Sequence, residues 1–286
     1  MISKHLALAC IVGITLGSLD QSRAESPPSC RQIEVCPTRS LASGTAVVLR
    51  LSQSPLPARP PELIVHFHGA VDTVRRAMER DAGHETVVVV NMPGLSTAYS
   101  KPFRDDPTLF SRLLAEAWHD ARESEEPAAW QRITLSCFSA GYGAVREILR
   151  SPDDERIDAI VAADSIYAGL ESEDPARLVS GVDMEGFLAF ARQADAGERV
   201  FVIAHSSQPT PYASTTETAD YLVAALRLSR TAVPPADADP FPEVSRCERR
   251  GLLVIGHAGE SAAAHLHHLR ILDRYWAAAR HLAQKP

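Results

Sequence analysis

The sequence predicts a three-layer α/β domain with a mostly parallel central sheet flanked by helices. One observation is a series of short, nearly continuous apolar runs: Glu62 to His68, Thr86 to Asn91, Arg132 to Cys137, Ala159 to Ala163, Val200 to Ala204 and Leu252 to Ile255. Strands that are apolar on both faces belong in a parallel sheet covered by helices. The other observation is helical spacing in the segments between them: Leu109 to Glu123, Gly143 to Arg150, Met184 to Ala196, Thr218 to Leu228 and Ala262 to His281. Strand and helix in alternation imply right-handed crossovers, and ligands then meet the carboxyl ends of the strands.

In chain order, residues 1–24 read as a secretory signal peptide. Lys4 and His5 precede an uncharged stretch from Leu6 to Leu19, and Ser22-Arg23-Ala24 offers small residues for cleavage. The apolar part is shorter than the roughly 20 residues a membrane span needs, and no later segment is long enough. The expectation is an exported protein, periplasmic or extracellular. Residues 25–44, rich in Pro and Ser, read as an exposed lead-in, and residues 45–286 as the domain, opened by an edge strand from Thr45 to Leu51. Pro234 to Pro242 reads as an exposed loop before the last strand, and Gly169 to Val182 as a second long connection.

The formal charge of −7 becomes −8 without residues 1–24, which carry two basic residues (Lys4, Arg23) and one acid (Asp20). No basic patch speaks for nucleic acid. Of the cysteines, Cys137 is expected to be buried and inert. Cys30, Cys36 and Cys247 remain for disulfides, with Cys30–Cys36 or a bridge from either to Cys247 open.

The stretch Arg132 to Arg150 carries the chemistry. A β-prone run ends in Cys137-Phe138-Ser139-Ala140-Gly141 and continues as a helix. That is the pattern of a nucleophile elbow with Ser139 at its tip, its first Gly replaced by Cys. The turn tolerates only small neighbours, which Ala140, Gly141 and Gly143 provide. A Ser at this place is otherwise a helix N-cap.

With His68-Gly69 after one strand, Ser139 at the elbow, Asp164 ending a later strand and a His-rich segment after the last, the chain resembles the α/β-hydrolase superfamily over roughly residues 45 to 283. It is similar in particular to exported bacterial serine hydrolase-like proteins that share Ser-Ala-Gly-Tyr-Gly and a Tyr-Ala-Ser-Thr stretch. The resemblance implies Ser139 as nucleophile and a base drawn from His257, His265, His267 and His268. His265 is favoured, because the small residues Ala258 to Ala264 let the chain turn back over the elbow; His257 and His268 are the alternatives. Asp164 is the favoured acid, with Glu217 the first carboxylate after the following strand. The backbone N–H groups of Ala70 and Ala140 are the implied oxyanion donors, and His68 is expected to prop the loop that carries Ala70. Asn91, Gly94, Tyr99, His205, Tyr212 and Thr215 are further polar candidates for the pocket.

These residues point to an esterase working through an acyl-enzyme on a small-molecule ester or acyl substrate, without a cofactor. A peptidase or amidase would use the same triad. Two other classes compete. Metal chemistry through the clustered histidines would leave the elbow unexplained, and a binding protein on a hydrolase scaffold would keep the fold without the reaction.

Overall fold

The computed structural model describes residues 32–51, 61–81, 83, 86–122, 128–171, 176–234 and 239–285; the signal-peptide reading and Cys30 lie outside them. They form part of one compact unit, Arg31–Pro286. In chain order the strands are β1 (Ile33–Val35), β2 (Arg39–Leu41), β3 (Gly44–Leu51), β4 (Glu62–Phe67), β5 (Thr86–Asn91) and β6 (Arg132–Ser139). They continue with β7 (Ala159–Ser165), β8 (Val200–His205), β9 (Thr231–Ala232), β10 (Glu243–Arg249) and β11 (Leu252–His257).

The apolar runs form the parallel centre of the sheet, in the order β5-β4-β6-β7-β8-β11. Antiparallel strands close both ends: β3 on β5, with β1 and β2 on β3, and at the far end β10 on β11 and β9 on β10. Alternation along each strand divides the core. Leu63, Val65 and Phe67 face one layer, which holds α2 (Ser96–Asp105), α3 (Leu109–Arg122), α4 (Tyr142–Ile148), α5 (Gly181–Ala196) and α6 (Thr215–Ala225). Ile64, Val87 and Val89 face the other, made by α1 (Val71–Arg80), α7 (Ala262–Arg270) and α8 (Leu272–Ala283). Full burial on both sides is what a run such as Val87-Val88-Val89-Val90 requires.

Several expectations change. Of the stretch read as a lead-in, the described residues 32–44 hold β1 and β2, and Cys36, between them, and Leu41, on β2, are buried. Between Pro242 and the last strand lies a further strand, β10, paired antiparallel with β11. The helix read as 262–281 divides at Ile271 into α7 and α8. A Cys36–Cys247 bridge is ruled out. Cys36, Cys137 and Cys247 are free and buried, and Cys36 packs beside β3 while Cys247 is on β10 at the opposite end of the sheet.

Candidate active site

The site assembles where the parallel strands end. β6 leaves the sheet at Ser139, held at φ 48°, a left-handed backbone that a side chain adopts only under constraint. Next to it β7 carries one extra residue: Phe138 pairs with Ala163 and Ser139 with Ser165, so Asp164 bulges out at φ 42°. The Ser165 hydroxyl donates to the Ser139 carbonyl at 2.7 Å and ties the two departures together.

The small residues after Ser139 answer to space. Gly141 has an ordinary helical φ of −62°, but a Cβ there would run into the Phe67 carbonyl at the end of β4. One on Gly143 would run into the Ser96 carbonyl at the start of α2. Cys137, in the place of the motif's first Gly, is fully buried, and burial pushes its thiol up to about 12.

Asp164 is 1% exposed and accepts four hydrogen bonds: from Ser206 N at 2.9 Å, Ser206 Oγ at 2.7 Å, Thr215 Oγ1 at 2.6 Å and His265 Nδ1 at 2.7 Å. Burial alone would raise its pKa. The hydrogen bond from His265, the influence of His268 and the bonds from Thr215 and Ser206 outweigh burial and hold the carboxyl below its ordinary range. Bound in this way, His265 Nδ1 carries the ring proton and leaves Nε2 as the basic nitrogen. Ser261 caps α7 and sets the approach of His265, whose ring stacks on Phe138 at 4.5 Å.

The other histidines are committed elsewhere. His257 Nδ1 donates to the Phe241 carbonyl at 2.9 Å, so its Nε2 accepts from the Tyr275 hydroxyl at 3.2 Å. Tyr275 in turn accepts from His268 Nδ1 at 2.8 Å, and the three side chains form a closed, buried chain. His267 Nε2 lies 3.4 Å from Asp239. His205 is buried between Ser206, Thr216 and Arg230. Glu217, the alternative acid, closes a capping box with Ser214 and takes a two-pronged ion pair from Arg177 (2.6 and 3.0 Å). Its carboxyl is held down to about 2, chiefly by the Arg177 hydrogen bond, and its place in the site is structural.

The loop after β4 is also braced. Asn91 accepts from Gly69 N at 3.0 Å and donates to Gly69 O at 2.9 Å, fixing the peptide that precedes Ala70. Tyr99, fully buried, accepts from Met92 N at 3.1 Å and binds His68 Nδ1 at 2.8 Å. Among the described residues, neither the Ala70 nor the Ala140 N–H has a partner. Thus Asn91, Tyr99 and Thr215 support the site from behind instead of lining it, and Gly94, at φ 143°, turns the chain between β5 and α2.

Ser139, Ala140 and His265 open on a cavity of about 510 Å³ walled by Tyr142, Tyr167 and Tyr212. The supports that the sequence reading missed are Ser206, Ser165, Phe138 and Arg177. Only Phe138, adjacent to Ser139, carried a local signal.

No protein-family model matches the chain, and no curated protein sequence matches it. Among solved structures it is similar to a thermostable esterase from Pseudomonas putida, with 11% identity over 91% of this chain and 83% of that one, at a TM-score of 0.47. It is also similar to an ester hydrolase from the metagenome of Lake Arreo, with 13% identity over 90% and 84% and a TM-score of 0.48. A third likeness is a predicted CIB-like hydrolase from Thermoplasma acidophilum, with 11% identity over 87% and 99% and a TM-score of 0.44. The fold rests on the chain's own topology: six parallel strands in the order β5-β4-β6-β7-β8-β11, antiparallel strands at both ends and helices on both faces make this an α/β-hydrolase fold.

Proposed function

We propose that the chain is an exported serine hydrolase acting on carboxylic esters through an acyl-enzyme. The observation that carries this reading is the 2.7 Å bond between Asp164 and His265 Nδ1, which turns the basic face of His265 towards the cavity that Ser139 also lines. In the first half-reaction Ser139 Oγ attacks the ester carbonyl carbon and His265 Nε2 takes the hydroxyl proton. The tetrahedral oxyanion accepts from Ala140 N–H and Ala70 N–H, each donor lowering the barrier by about 3 kcal/mol. Collapse expels the alcohol, which leaves with the proton from His265. Water then repeats the sequence, releasing the acid and restoring Ser139. Asp164 keeps its negative charge throughout and stabilises the imidazolium.

Fluorophosphonate labelling mapped by mass spectrometry tests this reading. The label is expected on Ser139 in the wild type and absent in His265→Ala. A folded wild type that takes no label would leave a binding protein on this fold as the better account. Export is supported by the pattern of residues 1–24, and the expected result is a periplasmic or extracellular chain beginning at Glu25. N-terminal sequencing that finds Met1 or Ile2 on the exported form would refute cleavage after Ala24.

A further inference from the structure

We infer that the cavity beside Ser139 takes an aromatic acyl group, that of an arylalkanoic acid ester, in preference to an alkyl chain; the inference rests on the esterase reading above. Among the described residues, the aliphatic side chains on its wall are Leu95, Ala140 and Ala168. An extended alkyl chain would therefore bury little of itself against hydrocarbon. Three tyrosines dominate instead. Tyr167 and Tyr212 have ring centroids 5.5 Å apart and planes at 86°, and Tyr142 lies 5.7 Å from Tyr167 at 58°. Two rings set at right angles make a corner, in which a planar ring stacks on one face while presenting its edge to the face of the other. Both are preferred aromatic geometries, together worth about three- to tenfold in binding over an aliphatic group of equal area.

The charges on the wall exclude the obvious competitors. Arg146 pairs with Asp183 at 3.0 Å, and the second Asp183 oxygen accepts Gly169 N–H at 2.8 Å, so this side of the cavity is neutral. The Arg146 guanidinium also lies over the Tyr142 ring at 5.6 Å, so one of the three rings already holds a cation. Neither an anionic nor a cationic acyl group is favoured.

The corner is held ready. Tyr212 is 49% exposed, yet Arg177 binds its carbonyl at 2.8 Å and that of Thr210 at 3.0 Å while gripping Glu217. Ala168 and Ala213, the neighbours of the two tyrosines, pair as an antiparallel bridge. Pre-ordering of this kind reduces what binding must spend on immobilising the wall.

The test compares methyl esters of 3-phenylpropanoic, 3-cyclohexylpropanoic and octanoic acids by pH-stat titration. Their leaving group is small and not aromatic, and none is conjugated to the carbonyl. The expected kcat/KM for the phenyl ester is about three- to tenfold above both others. In Tyr212→Leu, a half-exposed position, that ratio is expected to fall to within about twofold of unity. A phenyl-to-cyclohexyl ratio at or below one, or a ratio unchanged in Tyr212→Leu, overturns the inference. So does faster hydrolysis of an acetylated pyranoside than of all three, which would assign the cavity to a sugar. Fluorophosphonate labelling separates the two levels. A labelled Ser139 with flat ratios removes the aromatic inference alone; an unlabelled Ser139 removes the hydrolase reading and this inference with it.

Discussion

Asp164→Asn is expected to lower kcat for ester hydrolysis about 10⁴-fold while leaving the protein folded. The carboxylate is surrounded by donors: Ser206 N–H and Thr215 on one oxygen, Ser206 Oγ and His265 on the other. An amide has one acceptor atom and must turn its NH₂ towards one of those sides. If the oxygen stays with Ser206 N–H and Thr215, the NH₂ faces His265 Nδ1, which can then only accept. The ring proton moves to Nε2, the nitrogen that the proposed mechanism needs bare to take the Ser139 proton. If the amide turns the other way, the N–H of Ser206 faces another donor in a buried site, at a cost of about 1–3 kcal/mol. Either way the imidazolium of the transition state loses its counter-charge. Steady-state kcat beside a thermal melt distinguishes the outcomes. A folded variant that loses less than about tenfold would show that Asp164 is not the orienting acid.

What the sequence shows and hides at this site follows from the range of the interactions. The parallel strands stand out because burial on both faces leaves a local mark, as in Val87 to Val90, and the elbow does so because Gly141 and Gly143 must be small for neighbours that touch them. The small-residue lead from Ala258 to Ala264 favours His265 for the same reason: it is a property of the adjacent chain. The supports of Asp164 leave no such mark. Ser206 and Thr215 reach it from 42 and 51 residues away, and each reads locally as turn or cap chemistry. Glu217 reads as an alternative acid because nothing local reveals Arg177, 40 residues earlier, as its partner. β10 is hidden because it pairs near the edge of the sheet, where the partly or fully exposed Glu243, Arg246, Glu248 and Arg249 break the apolar pattern. In α2 the internal Pro102 and the polar start conceal a helix that Tyr99 and Phe103 anchor by tertiary contact.

The folded protein is expected to lose stability steeply between about pH 6.5 and 4.5, before its buried carboxylate titrates. Burial lowers the pKa of His66 to about 3; burial, reinforced by the charge of Arg230, lowers that of His205 to about 4. His268 is lowered as well, burial outweighing the opposing pull of Asp164. In the unfolded chain each of these residues titrates near 6.5. Between the folded and unfolded values the unfolded state holds more protons, so stability rises with pH across that interval: it is complete above about 6.5 and is lost as pH falls. The slope is about 1.4 kcal/mol per pH unit for each histidine, which by pH 4.5 amounts to roughly 3 kcal/mol apiece. His66 and His205, with His268 acting in the same direction, thus remove a large share of the stability of an ordinary domain, about 5–15 kcal/mol. Asp164, held below its ordinary range, works in the same direction but in a lower window, beginning near the unfolded carboxylate value of about 3.9. Urea unfolding midpoints at pH 7.5, 6.5, 5.5 and 4.5 check the expectation, and a midpoint constant from 7.5 to 4.5 would refute it. The same histidines bear on any pH–rate profile. Acid inactivation that reverses at once on neutralisation, with the midpoint in urea unchanged, reports protonation within the active site. Inactivation that tracks the unfolding midpoint reports the buried histidines behind it, and only the two measurements together assign the acid limb of the profile to the triad.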